Sequence, residues 1–436
     1  MGLMEIAALL LALLLVLLCF GVWIGISLAM VGWFGLYFFG TSPPDKNLFT
    51  AFWNATASWE LAALPMFIWM GEILFRTKLS DEMFEGLSPW LRRIPGRLLH
   101  VNILACGLFG SVSGSSAATT ATVAKVALPE LLRRGYDEKV AIGSLATAGG
   151  LGILIPPSIT MVVYAVAADA SIIRIFLAGF LPGFLLMGIF SLYIAFWAWR
   201  NPDKMPPIEP SMPFRQKMYA SRRLIPVSLL IGFITWVLIA GIATATECAA
   251  YGVLGSLAIA WWSKMLTWEN FWTGLMSSTR VSCMIMFILA GAKYLSLTMA
   301  FTGIPIALAE WVSSLNLSPY SLIIVLSIVY ILLGTALDGI SMIVLTAAVV
   351  LPMIQKAGFD LIWFGIFIVL MVEIAEITPP VGFNLFVLQN MTGKDSNTIA
   401  KASIPFFICL VVCIIMLTVF PQIVTWLPDF VMGKEK

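Results

Sequence analysis

Two polar stretches interrupt an otherwise apolar chain: Gly110-Ser-Val-Ser-Gly-Ser-Ser116 and Gly334-Thr-Ala-Leu-Asp-Gly-Ile-Ser341. After each comes a segment crowded with proline and glycine: Gly149-Gly-Leu-Gly-Ile-Leu-Ile-Pro-Pro-Ser158 and Ile377-Thr-Pro-Pro-Val-Gly-Phe-Asn384. Proline removes a backbone donor and clashes with the carbonyl four residues back. Two in succession, with glycines nearby, unwind a helix. Carbonyls freed in this way are tolerated at membrane depth only where they line a site. Carbonyl and hydroxyl oxygens are ligands for a hard cation such as Na⁺, and the positive N-terminus of a half-helix suits an anionic group. The chemistry on offer is the binding of a cation and an anion.

Carboxylates join these elements. Asp338 lies in the second tip, and Glu373 and Glu376 precede the second break. A charge at membrane depth costs about 2.5–3.5 kcal/mol on insertion scales, so such a residue is a functional candidate by default. A partner such as Lys293, or protonation on desolvation, is the alternative. Ser111, Ser116, Ser158, Glu373, Glu376 and Asn384 are candidates for substrate binding or coupling. A single kink commonly serves packing alone, and a hydroxyl such as that of Thr119 or Thr120 can bond back to its own helix. Two kinks at one spacing, each beside a polar tip, go beyond packing. Glu247, after Thr244-Ala-Thr246, reads as a helix-start cap.

Other chemistries find little footing. His100 is the single histidine, which leaves no basis for a metal cluster or a Ser-His-Asp arrangement. Cys19, Cys106, Cys248, Cys283, Cys409 and Cys413 all sit in apolar runs without a CxxC pair, and read as small buried hydrophobes. With no nucleophile–base pair or metal-ligand set, the reading is not an enzyme.

The elements that must position these residues follow from composition. Of 436 residues, 60% are hydrophobic and 11% charged, against about 25% charged in a soluble domain. So few charges cannot cover a water-facing surface, and a lipid bilayer is the solvent. The net charge of +2 argues neither for nor against a polyanionic partner, and no nucleic-acid partner is expected. The first residues turn apolar at once and lack a basic n-region, so they read as a retained first helix. About 20 apolar residues cross a bilayer. Ile6–Pro44 holds two spans with a turn at Gly21–Gly25. Eight more fit Leu61–Phe75, Val140–Ala168, Ile175–Trp199, Leu224–Ala243, Glu247–Trp262, Val281–Ala300, Leu361–Val387 and Ser403–Trp426. Leu98–Leu132 has arginines at both ends, so it reads as a re-entrant hairpin entering from the cytoplasmic side. Pro319–Gln355 reads as a matching hairpin from the other face. With the N-terminus outside, Lys46, Arg174, Lys293, Lys356, Lys434 and Lys436 fall outside, and the remaining 19 of 25 Lys and Arg fall inside. That asymmetry sets the orientation. The sixteen Trp read as interface markers and amphipathic arms, as at Trp53, Trp59, Trp268 and Trp272.

The halves carry the same punctuation. Pro129, then Gly135-Tyr-Asp137, matches Pro352, then Gly358-Phe-Asp360, at an offset of 223, and Pro156-Pro157 matches Pro379-Pro380 at the same offset. An odd number of crossings lies between them, so the repeats are inverted, with their sites near the midplane. The division is a first half over 1–200, with the inner hairpin at 98–134 and a broken helix at 138–168. A cytoplasmic linker follows at 201–223. The second half covers 224–436, with the outer hairpin at 319–357 and a broken helix at 361–390.

These residues resemble the large membrane subunit of tripartite ATP-independent periplasmic (TRAP) transporters, the DctM type. The matching motifs are Leu64-Pro-Met-Phe-Ile68 with Gly71-Glu72, Gly110-Ser-Val-Ser-Gly-Ser115, Gly152-Ile-Leu-Ile-Pro-Pro-Ser158, Thr244-Ala-Thr-Glu247, Gly334-Thr-Ala-Leu-Asp338 and Thr378-Pro-Pro-Val-Gly382. The resemblance runs end to end. It implies an all-α integral membrane protein of two inverted repeats, with about ten transmembrane helices, two re-entrant hairpins and an elevator-type ion transporter fold. It also implies Na⁺-driven uptake of an organic anion across the bacterial inner membrane. The implied partners are a small four-helix DctQ-type membrane subunit and a periplasmic substrate-binding protein. Carried over, Ser113, Ser115, Gly152, Ile155 and Pro157 hold one Na⁺, and by repeat symmetry Thr335, Asp338, Thr378 and Pro380 hold a second.

Two positions depart from the family pattern. Ala245 stands where the family has the proline of Thr-Pro-Thr-Glu, and Glu376 stands where it usually has no acid. Glu376 points either to altered ion coupling or to a cationic group on the substrate. The alternative within the same superfamily is a stand-alone Na⁺/dicarboxylate symporter or Na⁺/H⁺ antiporter.

Overall fold

A computed structural model describes residues 2–40, 42–207, 212–305, 307–308, 310, 318–335, 337–379 and 382–433. Pro380, and Lys434 and Lys436 of the charge count, lie outside the described residues. Among those described, every regular element is helical.

The first half contains α1 (Leu3–Cys19), α2 (Ile24–Phe39), α3 (Pro44–Thr56), α4 (Ala63–Phe75) and α5 (Leu79–Leu91). Next come the hairpin arms α6 (Leu99–Ser113) and α7 (Ser116–Arg133). The broken helix follows as α8 (Glu138–Ala148), α9 (Leu151–Leu154) and α10 (Ile159–Ala167), and α11 (Ile172–Arg200) closes the half. The second half contains α12 (Phe214–Ser221), α13 (Ile225–Ile239), α14 (Ala245–Trp262) and α15 (Trp268–Thr302). Its hairpin arms are α16 (Pro319–Gly334) and α17 (Gly339–Lys356), and its broken helix is α18 (Leu361–Glu376) and α19 (Phe383–Thr392). The chain ends in α20 (Ser396–Val419) and α21 (Gln422–Met432).

The repeat seen in the sequence is a repeat of physical roles. Gly135 and Gly358 both take φ 82°, the left-handed conformation that ends a helix cheaply only in glycine. Two residues on, Asp137 caps α8 by accepting from the Val140 N–H at 3.1 Å. Asp360 caps α18 by accepting from the Ile362 and Trp363 N–H groups at 2.6 and 3.2 Å. The Gly-x-Asp pair is thus a helix stop and a helix start, used twice.

Three expected elements differ. The span at Val281–Ala300 is the inner part of the 35-residue α15, whose first two turns carry Trp268 and Trp272. Arm and span are one continuous helix there, capped at Thr267. The last span ends at Val419, not Trp426. Pro421 has no N–H to offer the Leu417 carbonyl, and Trp363 Nε1 donates to that carbonyl instead at 2.9 Å. Trp426 lies on the separate α21. The linker also carries a helix: α12 packs on α5, with Trp90 Nε1 donating to Ser221 Oγ at 2.7 Å and Arg223 paired with Glu85. Thr244 and Glu247 form a reciprocal capping box at the start of α14, with bonds of 2.8 and 3.3 Å, so Ala245 does not prevent the helix from starting.

Between helices, small residues and polar bonds replace the hydrophobic drive that lipid cannot supply. Gly32 of α2 faces the Tyr294 ring of α15, and Thr298 Oγ1 donates to the Gly32 carbonyl at 3.0 Å. Gly143 of α8 lies so close to α20 that a Cβ would fall 2.1 Å from the Ala402 carbonyl oxygen. Gly143→Val is therefore expected to lower the melting temperature of the detergent-solubilised protein, at a cost of about 1–3 kcal/mol or more. Gly188→Val, where nothing lies within 4 Å, is expected to leave it unchanged; equal melting curves for the two variants would refute this packing account.

Candidate functional site

The first tip forms a cradle of oxygen atoms. α6 ends at Ser113, Gly114 turns the chain at φ 61°, and Ser115 caps α7 by accepting from the Ala118 N–H at 3.4 Å. Thr119 Oγ1 donates to the Ser115 carbonyl at 2.7 Å, and Ser113 Oγ lies 2.7 Å from Thr119 Oγ1. Across from them is Gly152 on α9. A Cβ there would meet Thr119 Oγ1 at 2.8 Å and the Gly110 Cα at 2.9 Å, so only glycine lets tip and break approach. Ser113, Ser115 and Gly152 are thus brought together. Ile155 and Pro157 follow in the same break, both buried. Ser158 is spent on capping α10, accepting from the Met161 N–H at 3.4 Å. The break bends the helix pair by 48°.

The second tip is built differently. Asp338 caps α17, accepting from the Ser341 N–H at 3.2 Å and from the Ser341 hydroxyl. The Thr335 hydroxyl turns back to the Leu332 carbonyl at 2.7 Å, and that of Thr378 to the Ile374 carbonyl at 2.7 Å. Ser111 likewise bonds its own helix, at the Leu108 carbonyl. The tip still packs on the end of α18, with Gly334 against Ala375 and Gly339 against Val372.

Both tips open on one cavity of about 530 Å³, whose lining includes Ser113, Ser115, Ser116, Asp338, Glu376 and Glu72. Its charged lining is acidic. Glu72 of α4 accepts from Ser277 Oγ at 2.8 Å and pairs with Arg76 at 3.1 Å. Ser116 joins the two repeats: Asn384 Nδ2 donates to its hydroxyl at 2.7 Å and to the Ala146 carbonyl at 3.0 Å, and Ser116 hydrogen-bonds the Glu376 carboxylate. Glu373 is fully buried one turn before Glu376. Sequence reasoning did not single out Thr119 or Glu72 as site residues. The signals were a threonine pair beside a polar tip and one acid inside an apolar span. Among the described residues no three His, Cys, Asp or Glu side chains gather as a transition-metal site would require.

Residues 11–423 match the family described as tripartite ATP-independent periplasmic transporter, DctM component. The chain belongs to the DctM family. It is 33% identical over 390 residues to the C4-dicarboxylate TRAP transporter large permease protein DctM of Pseudomonas aeruginosa, covering 89% of this chain and 91% of that one. It is 28% identical over 382 residues to the ectoine/5-hydroxyectoine TRAP transporter large permease protein UehC of Ruegeria pomeroyi, covering 86% and 87%. The fold is similar to that of the YdaH transporter of Alcanivorax borkumensis, with a TM-score of 0.61 at 13% identity over 87% and 89% of the two chains. A DctM-family chain of this kind is a multi-pass transporter permease and not an enzyme.

Asn384 is the bond between the second broken helix and the first repeat. Asn384→Leu removes the donor that serves the Ala146 carbonyl and leaves that group buried without a partner. The expected cost is about 1–3 kcal/mol, read as a lower melting temperature of the purified permease. A melting curve identical to that of the unsubstituted protein would show that the bond does not hold the repeats together.

Proposed function

We propose that this permease couples Na⁺ entry to uptake of a small organic acid across the bacterial inner membrane. The observation that carries the reading is the shared cavity, where both polar tips and the second break converge and the charged lining is acidic. An organic anion entering beside Asp338 and Glu376 meets repulsion unless cations are bound with it. Oxygen ligands for such cations come from Ser113 and Ser115 of the lining, with the Thr119 hydroxyl and the Gly152 backbone next to them. Ile155 and Pro157 complete the first Na⁺ set. Thr335, Asp338, Thr378 and Pro380 form the second in this reading. The two hairpins and two broken helices, 98–168 and 319–390, move as one transport unit past the remaining scaffold helices in an elevator step. Substrate arrives on a periplasmic binding protein, a small DctQ-type subunit covers part of the scaffold, and both chain termini face the periplasm. Membership of the DctM family supports these partners, and relatives named for C4-dicarboxylates and for ectoine leave the choice of acid to the cavity's lining.

The test is uptake into proteoliposomes holding this chain and its small subunit. The cognate binding protein is supplied with a radiolabelled panel of organic acids, with and without an inward Na⁺ gradient. Uptake is expected to require both the gradient and the binding protein. Uptake without the binding protein would make the chain a stand-alone symporter, and uptake indifferent to Na⁺ would remove the coupling. Ser113→Ala and Thr119→Val are each expected to raise the Na⁺ concentration for half-maximal uptake by about tenfold, the equivalent of about 1.4 kcal/mol. An unchanged Na⁺ midpoint in both would place the ion elsewhere.

A further inference from the structure

Thr119 and Thr120 are successive residues of α7 and so point about 100° apart. Thr119 serves the tip cradle. Thr120 turns instead to Gly149, where a Cβ would fall 1.8 Å from its Oγ1. At the adjacent Gly150 a Cβ would fall 2.1 Å from Glu373 Cγ and 2.5 Å from its Oε1. The glycine pair therefore admits a hydroxyl from the first hairpin and a carboxylate from the second broken helix to neighbouring points on one stretch of backbone. Thr120, Glu373 and Asn384 are each 0% exposed. Thr120 Oγ1, both Glu373 carboxylate oxygens, Glu376 Oε2 and Asn384 Oδ1 are buried without a hydrogen-bond partner.

The orientation of Asn384 is set by its neighbours, because its amide nitrogen is spent on Ser116 and on the Ala146 carbonyl. The Gly150 N–H goes to the Thr147 carbonyl at 3.1 Å, which frees the Ala146 carbonyl to accept from Asn384. The amide oxygen is left as a bare acceptor. An ionised carboxylate with both oxygens unpaired in the interior carries a large desolvation cost unless a positive charge meets it. Among the described residues, the charged or titratable groups that bear on Glu373 are Glu376, three residues on, which is acidic, and the Cys413 thiol of α20. The unpaired groups are oxygen donors without sulfur or imidazole, the set a hard cation takes. Glu376 has one carboxylate contact, to Ser116, and an unpaired Oε2, while both oxygens of Glu373 are unpaired, so Glu373 is the carboxylate with the most to gain from a positive charge.

We propose that Glu373, Thr120 and Asn384 form a further monovalent-cation site, of a kind suited to Na⁺, between the two broken helices and separate from the sets at the hairpin tips. It rests on the Na⁺-coupled reading above and deepens it. A cation there fastens α7, the first break and both parts of the second broken helix to one another, so its occupancy is felt by both repeats.

The probe is Na⁺ itself, exchanged for choline at constant ionic strength, on the purified chain with its small subunit. The readouts are the Na⁺-induced rise in melting temperature and the Hill coefficient of Na⁺-dependent uptake in proteoliposomes. Glu373→Gln keeps the shape and removes the charge; Thr120→Val keeps the shape and removes the oxygen. Each is expected to lower the Hill coefficient by about one and to shrink the thermal shift, with the loss adding to that of Ser113→Ala at the tip. Should Glu373→Gln fail to yield folded protein, Thr120→Val carries the same test. Variants with the unsubstituted Hill coefficient and thermal shift would overturn the proposal. So would a Glu373→Gln protein whose Na⁺ response is intact but whose uptake has lost its pH dependence, since the group would then hold a proton. An unsubstituted transporter with no Na⁺ response fails the coupling reading itself, an outcome distinct from either of these.

Discussion

Backbone polar groups at membrane depth have no water to turn to, and the architecture of this permease follows from that constraint. Breaking a helix twice releases carbonyls and N–H groups that must find partners within the protein. The Ala146 carbonyl, freed at the first break, is met by Asn384; at helix ends, the Leu417 carbonyl is met by the Trp363 indole and the Ser115 carbonyl takes the Thr119 hydroxyl beside its own backbone bond. Each partner comes from a side chain that a continuous helix would not need. The breaks are stable because polar residues elsewhere in the chain are committed to them.

That commitment ties the two repeats together. Asn384 reaches from the second broken helix to Ser116 and Ala146 of the first repeat. Gly110 and Gly152 let the first tip close on the first break, and Gly334 and Gly339 let the second tip close on α18. Without side chains in the way, oxygen atoms from three elements gather within reach of one cavity. Close approach, more than any single residue, gathers scattered serines and threonines into a candidate site.

The same closeness gives the acids their meaning. Asp338 is held by capping α17, and Glu72 is shared between Ser277 and Arg76. Glu376 is held by Ser116. Each is positioned by a bond to a neighbour while it faces the cavity. Any solute that enters the cavity meets this acidic lining.

Much of this was written in the sequence. The apolar spans and the hairpins are legible because lipid demands about 20 apolar residues in a row, and polar tips in such runs stand out. The repeat is legible because Gly-x-Asp does one local job, a left-handed stop and an N-cap, that needs no tertiary context. Other features were decided only in three dimensions. The sequence marks Pro421 as a helix breaker, but it does not show that Trp363 replaces the lost donor and lets α20 stop at Val419. Thr335 and Thr378, ion ligands by resemblance and repeat symmetry, and Ser111, a substrate or coupling candidate, have hydroxyls that in the fold bond back to their own helices. The sequence lists Thr119 and Thr120 as equivalent neighbours, yet helical geometry sends one to the tip and the other to Gly149. Local chemistry and hydropathy are properties of short stretches and can be read along the chain. Which oxygen is left unpaired depends on residues more than two hundred positions away, and only packing settles that.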